Sequence, residues 1–264
     1  MNVYLFEFRR QWRSFLAGTL TQAIVAAVFL GGMYPMYHDS QKDVEKVLAG
    51  FPPRFAAAFG ITKDMFSFGG FFAFIYVYLA IVAAIFGALW GLKVFGREKL
   101  DRCMDFLISK PASRMGLFWQ KALVVLTGIV VMNGVFLGVA LWVRTSVGAT
   151  SPGVGQFVLM ALAVGGVQLI FAALGALIAV LAPRLHSVTG LGVGLGILGF
   201  VLSALPPMTN ESNFKAISPF SYFNVSQMQT QGTYETGYLV TAGALCVVAL
   251  AVACVAYVRS DVKA

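Results

Sequence analysis

Residues 96–114 read GREKLDRCMDFLISKPASR and form a short charged island between two long apolar runs, at 66–92 and 115–143. A dense group of Lys and Arg beside membrane spans stays on the cytoplasmic side of the bilayer. Seven such residues lie in or next to the island: Lys93, Arg97, Lys99, Arg102, Lys110, Arg114 and Lys121. The middle of the island has helical spacing, with Leu100, Met104 and Leu107 before Pro111. The sequence therefore predicts a membrane protein that presents a short amphipathic helix to a soluble partner.

The composition is that of an integral membrane protein. Of the 264 residues, 59% are hydrophobic and only 11% are charged, whereas charged residues make up about 25% of soluble domains. The three cysteines are odd in number and two lie in an apolar run, so the pattern predicts no disulfide framework. The formal charge of +8 comes from residues that flank the apolar runs, and it indicates topology rather than nucleic-acid binding.

Six apolar segments are long enough to cross a bilayer, because about 20 helical residues span its hydrocarbon core. They lie near residues 15–37, 67–92, 122–143, 156–182, 188–206 and 237–258. The fourth and fifth are separated only by residues 183–187, and the alternative for this pair is one hairpin that enters the membrane and returns. Their combined length favours two crossings. The prediction is a single all-α transmembrane domain over residues 1–264.

Residues 2–14 precede the first span and are amphipathic in a helical projection. Leu5, Phe8 and Trp12 share one face, while three basic residues lie largely on another: Arg9, Arg10 and Arg13. This pattern predicts a helix in the plane of the cytoplasmic headgroups. The alternative is an ordinary basic flank that only orients the first span.

The basic residues also predict the orientation. If both termini are cytoplasmic, the inner segments hold more than twice as many Lys and Arg residues as the outer segments, and this bias favours that topology. The polar segments 38–64 and 206–236 are then extracytoplasmic. The basic inner side also predicts contact with anionic membrane lipid.

Motifs for catalysis or nucleotide binding are absent from the sequence. No G-x-x-x-x-G-K-[ST] motif occurs, so the chain is not expected to hold nucleotide phosphates in that way. The two histidines, His38 and His186, are predicted on opposite sides of the membrane and cannot share a metal. No Asp or Glu lies in the middle of a predicted span, which argues against an intramembrane protease, a proton pump or an ion-coupled carrier. The sequence predicts no catalytic, cofactor-binding or metal site.

Uncharged polar residues are few inside the predicted spans. Three stand out: Gln22, Asn133 and Gln168. Such side chains most often form hydrogen bonds between helices. The alternative is that they line a substrate pathway.

The charged island resembles that of the ABC-2 type permeases, the membrane subunits of ATP-binding cassette exporters. Members of this family tend to read E-x-x-x-G-T-x-x-x-L-L-S-x-P-x-S-R in this loop. The chain matches this pattern at Glu98, Leu107, Ile108, Ser109, Pro111, Ser113 and Arg114, and it has Arg102-Cys103 in place of the usual Gly-Thr. Ser218-Pro219-Phe220 with Tyr222-Phe223 is similar to a string that the family often carries before its last span. The order of an in-plane helix, six spans and a large last outer loop is also similar.

The resemblance implies that residues 97–110 form a coupling helix, which docks into a separate ATP-hydrolysing subunit. The residues expected to couple are Glu98, Asp101, Arg102, Asp105, Phe106 and Leu107. ATP would be bound by that partner, so the chain itself is not expected to be an enzyme. A second permease copy or a close relative would complete the translocation path, in the cell membrane of a bacterium. The alternative for the island is a solvated loop whose charges only orient the spans.

Two classes of function follow. The first is the permease of an ATP-driven exporter of a hydrophobic or amphipathic substrate, such as an antibiotic or an antimicrobial peptide. The second is a membrane scaffold that transports nothing, or a subunit of another membrane complex. An intramembrane hydrolase is disfavoured because the catalytic groups are missing.

Overall fold

The structure is a computed structural model that describes residues 3–41, 66–100, 113–183, 185, 187–209 and 218–259. Every regular element in these ranges is helical, so the predicted all-α class is confirmed for the described part of the chain. Most of the predicted outer segment 38–64, residues 210–217 of the predicted outer segment 206–236, Arg184 and His186 lie outside the described residues.

The first helical run is continuous from Val3 to Asp39. Helix α1 covers Val3–Ala26, a π-helical stretch covers Ala27–Met33, and α2 covers Tyr34–Asp39. At 1.5 Å per residue the run is about 55 Å long, much more than the hydrocarbon core of roughly 30 Å.

The helix is continuous from the predicted in-plane segment 2–14 into the predicted span 15–37. Neither Gly nor Pro occurs between residues 3 and 17, so nothing local ends the helix. Buried side chains also hold its first turns against a neighbouring helix, as described below. The placement of 2–14 in the headgroup plane stays a prediction.

Three long helices follow. Helix α3 covers Phe68–Leu100, α4 covers Arg114–Ser146, and α5 covers Val154–Leu181. The predicted spans 67–92, 122–143 and 156–182 fall on these helices. Helix α4 begins where Ser113 caps it, since the Ser113 hydroxyl accepts a hydrogen bond from the Gly116 amide at 3.2 Å. Helix α5 ends just before Pro183, which cannot donate the next hydrogen bond of the helix.

The last helices are α6 at Val188–Thr209, α7 at Val225–Gln231 and α8 at Thr236–Arg259. Helix α8 is long and apolar enough to cross a membrane, as are α3, α4, α5 and the run from Val3 to Asp39. In α6, the apolar stretch found among the described residues is Val188–Ala204, which is shorter than the five candidate spans. The described residues thus hold five candidate spans, and the predicted count of six is not confirmed.

Helices α3 and α5 form the centre of the bundle and pack on each other more extensively than any other pair. Small residues allow this close approach. A Cβ built on Gly91 of α3 would lie 2.2 Å from the Ala172 carbonyl oxygen, and one on Gly87 would lie 2.4 Å from the Gln168 carbonyl oxygen. Gly87 and Gly91 therefore form the small-xxx-small contact that is typical of membrane helix pairs. Helices α1, α4 and α8 lie at the periphery and keep large apolar side chains exposed, such as Ile24, Val130 and Val247.

The segment between α6 and α8 folds back onto the bundle. Its described part begins with a 3₁₀ turn at Pro219–Tyr222 and continues into α7. Phe220 lies 5.4 Å from Phe171 of α5, measured between ring centroids, and Phe223 packs over Gly166 of the same helix. The Ser218 hydroxyl donates to the Gly199 carbonyl of α6 at 3.0 Å. The S-P-F-x-Y-F string is therefore a packing motif that anchors this segment.

Candidate functional site

The candidate site lies at one end of the bundle, here called the loop end, where α1 begins, α3 ends, α4 begins and α8 ends. The middle of the charged island, residues 101–113, connects Leu100, the last residue of α3, to Arg114, the first residue of α4. Of the predicted coupling residues, Glu98 lies on the last turn of α3. The other five lie outside the described residues: Asp101, Arg102, Asp105, Phe106 and Leu107. The coupling helix stays a prediction, and the described geometry concerns the two helix ends that carry it.

A buried ion pair joins α1 to the last turn of α3. The Arg97 guanidinium donates through Nη1 to the Glu7 carboxylate and through Nη2 to Oε1 of Gln11, the latter at 3.4 Å. The two charged side chains are only 14% and 6% exposed, respectively, and Gln11 is buried as well. Glu7 and Gln11 are four residues apart and share a helical face, so one guanidinium reaches both. Removing one partner of a buried ion pair typically costs about 3–5 kcal/mol, because it leaves the other charge uncompensated.

A second buried cation joins α4 to α3. Lys121 is 2% exposed, and its Nζ donates to the Val94 carbonyl of α3 at 3.0 Å. The same ammonium lies 5.6 Å from the ring centroid of Tyr257 in α8, within the range of a cation–π interaction.

Aromatic side chains fill the space around these polar contacts. Phe118 of α4 lies 5.0 Å from Phe95 of α3 and 5.8 Å from Tyr257 of α8, measured between ring centroids. On the other side, Phe15 of α1 meets the edge of Trp90 at 4.8 Å. The polar contacts at the loop end are therefore enclosed by apolar rings, and such an environment strengthens electrostatic interactions relative to water.

The three polar residues predicted inside the spans all contact a neighbouring helix. Gln22 of α1 donates to the Leu79 carbonyl of α3 at 3.3 Å. Asn133 of α4 donates to Oε1 of Gln168 of α5 at 2.6 Å. Asn133 and Gln168 therefore bond to each other between α4 and α5. Gln22 makes its contact elsewhere, between α1 and α3.

The burial of Glu7, Gln11 and Lys121 was not predicted from the sequence. Glu7 and Lys121 were interpreted only as charges that flank the spans. One signal was present. Glu7 is the only acidic residue before Asp39, and it has Gln11 one turn later on the same helical face. No comparable signal marks Lys121, whose burial depends on two other helices, α3 and α8.

Within the described ranges, no group of three or more His, Cys, Asp or Glu residues is placed to hold a metal ion. The contacts found there are one buried ion pair, amides, a buried ammonium and aromatic rings. This arrangement can fix helix ends relative to one another.

The comparison with known protein families gives one result. The sequence profile of the family described as "ABC-2 family transporter protein" matches residues 1–262. No match is found among curated proteins or among solved structures. The matched range includes all the helices described above as well as the charged island.

Proposed function

Starting from the fact that the chain belongs to the ABC-2 transporter family, we propose that it is the permease subunit of an ATP-binding cassette transporter. It pairs with a separate ATPase subunit and exports a hydrophobic or amphipathic substrate, such as an antibiotic or an antimicrobial peptide. The family is a component of membrane transport whose members generally lack a catalytic site of their own. ATP is then bound and hydrolysed by the partner.

The observation that carries the proposal is the family match over nearly the whole chain. The loop end gives it physical support. The charged island includes the last turn of α3 and the first residue of α4, and buried polar contacts hold the nearby parts of both helices to the bundle. A partner that binds the island would therefore act on helices that extend through the membrane.

The proposal includes topology and assembly. Both termini and the island face the cytoplasm, where the ATPase is located, and residues 38–64 and 206–236 face outward. Two permease subunits, identical or closely related, form the path together with two ATPase subunits. The exposed apolar faces of α1, α4 and α8 are available to lipid or to a second permease.

The test is purification of the tagged chain from native membranes. We expect an ATPase with a phosphate-binding loop to be recovered with it, and we expect the complex in vesicles to accumulate a hydrophobic substrate only when ATP is supplied. The pure chain alone should not hydrolyse ATP. A chain that purifies without any ATPase and supports no ATP-dependent transport would contradict the proposal and favour a scaffold.

A further inference from the structure

We propose that Glu7 and Arg97 are positioning residues, which make the first turns of α1 and the last turns of α3 move as one body. The inference rests on the proposed function, because its consequence is that displacement of the charged island reaches α1 through this ion pair. Arg97 lies at the start of the charged island, on the last turn of α3, and Glu7 lies on α1 outside the island. Their role is to determine which transmembrane helix follows the island when it moves.

The position of the pair along α3 is the first argument. Arg97 lies three residues before the last residue of α3, Leu100, a separation of about 5 Å along the helix axis. The contact with α1 is therefore made within one turn of Leu100, where α3 ends and the segment that connects it to α4 begins. Any rotation or shift of that last turn moves the Arg97 guanidinium directly.

The chemistry of the contact is the second argument. A planar guanidinium that donates to Glu7 and Gln11 through two different nitrogens fixes direction as well as distance. Apolar side chains pack without such directional preference and allow neighbouring helices to slide. A buried ion pair adds little net stability over an apolar pair of the same size. Its presence at this site therefore indicates a role in orientation.

Helices α1 and α3 stay in contact further along their length, and these contacts hold the two helices together beyond the ion pair. Two turns beyond Glu7, the Trp90 indole donates to the Ser14 hydroxyl at 3.2 Å. One turn later, a Cβ on Gly18 would lie 2.8 Å from the Trp90 ring, so the two helices approach closely there. The ion pair is thus the outermost contact of an interface that continues into the apolar part of the bundle.

Helix α1 also contacts the other helix that carries the island. The Tyr4 amide donates to Oε1 of Gln120 at 3.2 Å, and the Tyr4 hydroxyl lies 3.0 Å from the Thr127 hydroxyl. Both partners are on α4, which begins where the island ends. The first turns of α1 therefore connect the helices on both sides of the island, and Glu7–Arg97 is the charged link on the α3 side.

The test measures distances between spin labels in lipid nanodiscs, with Cys103, Cys246 and Cys254 replaced by alanine. The labels are placed at position 9 on α1 and position 93 on α3, through Arg9→Cys and Lys93→Cys. We expect one narrow distance distribution that stays narrow when ATPase and nucleotide are added. Glu7→Gln and Arg97→Gln should each broaden it, and the reversed pair Glu7→Arg with Arg97→Glu should narrow it again. A distribution that stays narrow in both single variants would overturn the proposal.

Transport gives the second readout. In Glu7→Gln and Arg97→Gln, we expect the substrate moved per ATP hydrolysed to fall at least fivefold, and the reversed pair should restore it to within twofold of the native value. The matched control is Arg13→Gln, which removes an exposed charge from the same part of α1 and should leave the ratio unchanged. Equal ratios in all variants would overturn the role of the pair in transmission.

A double replacement distinguishes loss of coupling from loss of folding, in case a single variant does not fold. Glu7→Met with Arg97→Met removes both charges together, so we expect normal amounts of protein, a broadened distance distribution and the same loss of transport per ATP. Native distances and native coupling in this variant would overturn the proposal. The distance measurement needs no ATPase, so it can overturn the role of the ion pair on its own. The proposed function is instead contradicted when no ATPase is recovered with the purified chain. The two results are therefore distinguishable.

Discussion

The Asn133 amide of α4 donates a hydrogen bond to the Gln168 side-chain oxygen of α5 at 2.6 Å, near the middle of both helices. Gln168 is fully buried and also directs its own amide toward the Met132 sulfur at 3.2 Å. Polar side chains in this position contribute to helix association in membranes because they have few other partners. The pair thus joins a peripheral helix to one of the two central helices.

Removal of either partner should therefore weaken the α4–α5 contact. We expect Asn133→Leu and Gln168→Leu each to lower the free energy of unfolding in detergent by about 0.5–2 kcal/mol, since each leaves the other amide without its partner. The double variant should cost less than the two single costs combined. Strictly additive costs in thermal unfolding would show that the hydrogen bond contributes no coupling.

The close approach of α3 and α5 leads to a second prediction, which concerns the stability of a glycine variant. Gly91→Ala places a methyl group where the Ala172 carbonyl oxygen already lies, so the helices must separate, at a cost of about 1–3 kcal/mol. Gly138→Ala in α4 is the control, because nothing lies within 4 Å of its Cβ position. The control should be neutral or slightly stabilising, since alanine favours the helix. Thermal unfolding of the two variants, measured side by side, checks the difference.

Two substitutions test the charged island as a coupling helix. Asp105→Arg reverses a charge that is expected to face the ATPase, and Leu107→Asp places a charge at an expected apolar anchor, which costs a few kcal/mol if that site is buried in the complex. We expect normal membrane expression with reduced recovery of the ATPase and reduced transport. Full ATPase binding and transport in both variants would favour the solvated loop as the correct interpretation.

Cysteine labelling tests the topology. In a chain without native cysteines, Asp105→Cys should react with an impermeant reagent only in inside-out vesicles. Asn224→Cys should react in intact cells, because Asn224 is exposed just before α7 in the predicted outer segment. The two positions are matched controls for each other, and a reversed pattern would mean that the predicted orientation is wrong.

Tyr234 gives a prediction about pH. It lies just before α8 and donates to the Leu159 carbonyl at 2.6 Å, and burial raises its pKa to about 12. The neutral phenol is thus favoured in the folded state. Its contribution to stability should be complete below about pH 10, the ordinary tyrosine pKa, and should be lost as the pH rises from there toward 12.

We expect Tyr234→Phe to lower the free energy of unfolding by about 1 kcal/mol near neutral pH, because the hydrogen bond is lost. The difference from the native chain should shrink above pH 10. The control is Tyr238→Phe, a change to the neighbouring tyrosine on α8. Denaturation curves at pH 7 and pH 11 measure the effect, and a difference that grows with pH would contradict the assignment.

Much of the architecture could be predicted from the sequence. Spans at 67–92, 122–143, 156–182 and 237–258 fall on helices that the structure describes, because a bilayer requires long apolar segments whose backbone groups are bonded internally. The continuity of α1 through residue 14 could not be predicted from the composition, because a local change from charged to apolar residues does not by itself decide where a helix ends. The charged island itself stays a prediction from its pattern, since residues 101–112 lie outside the described ranges.

The sequence by itself determined the class of the protein, because the composition and length of apolar segments follow from the physics of the bilayer. Only the tertiary structure decided the partners of its polar residues. Glu7 and Arg97 are 90 residues apart, and Lys121 is buried only because α3 and α8 meet α4 at that point. Whether a charge faces solvent or a buried partner depends on which helices become neighbours. That outcome is determined by the packing of side chains such as Gly91 against the α5 backbone, and no local pattern along the chain encodes it.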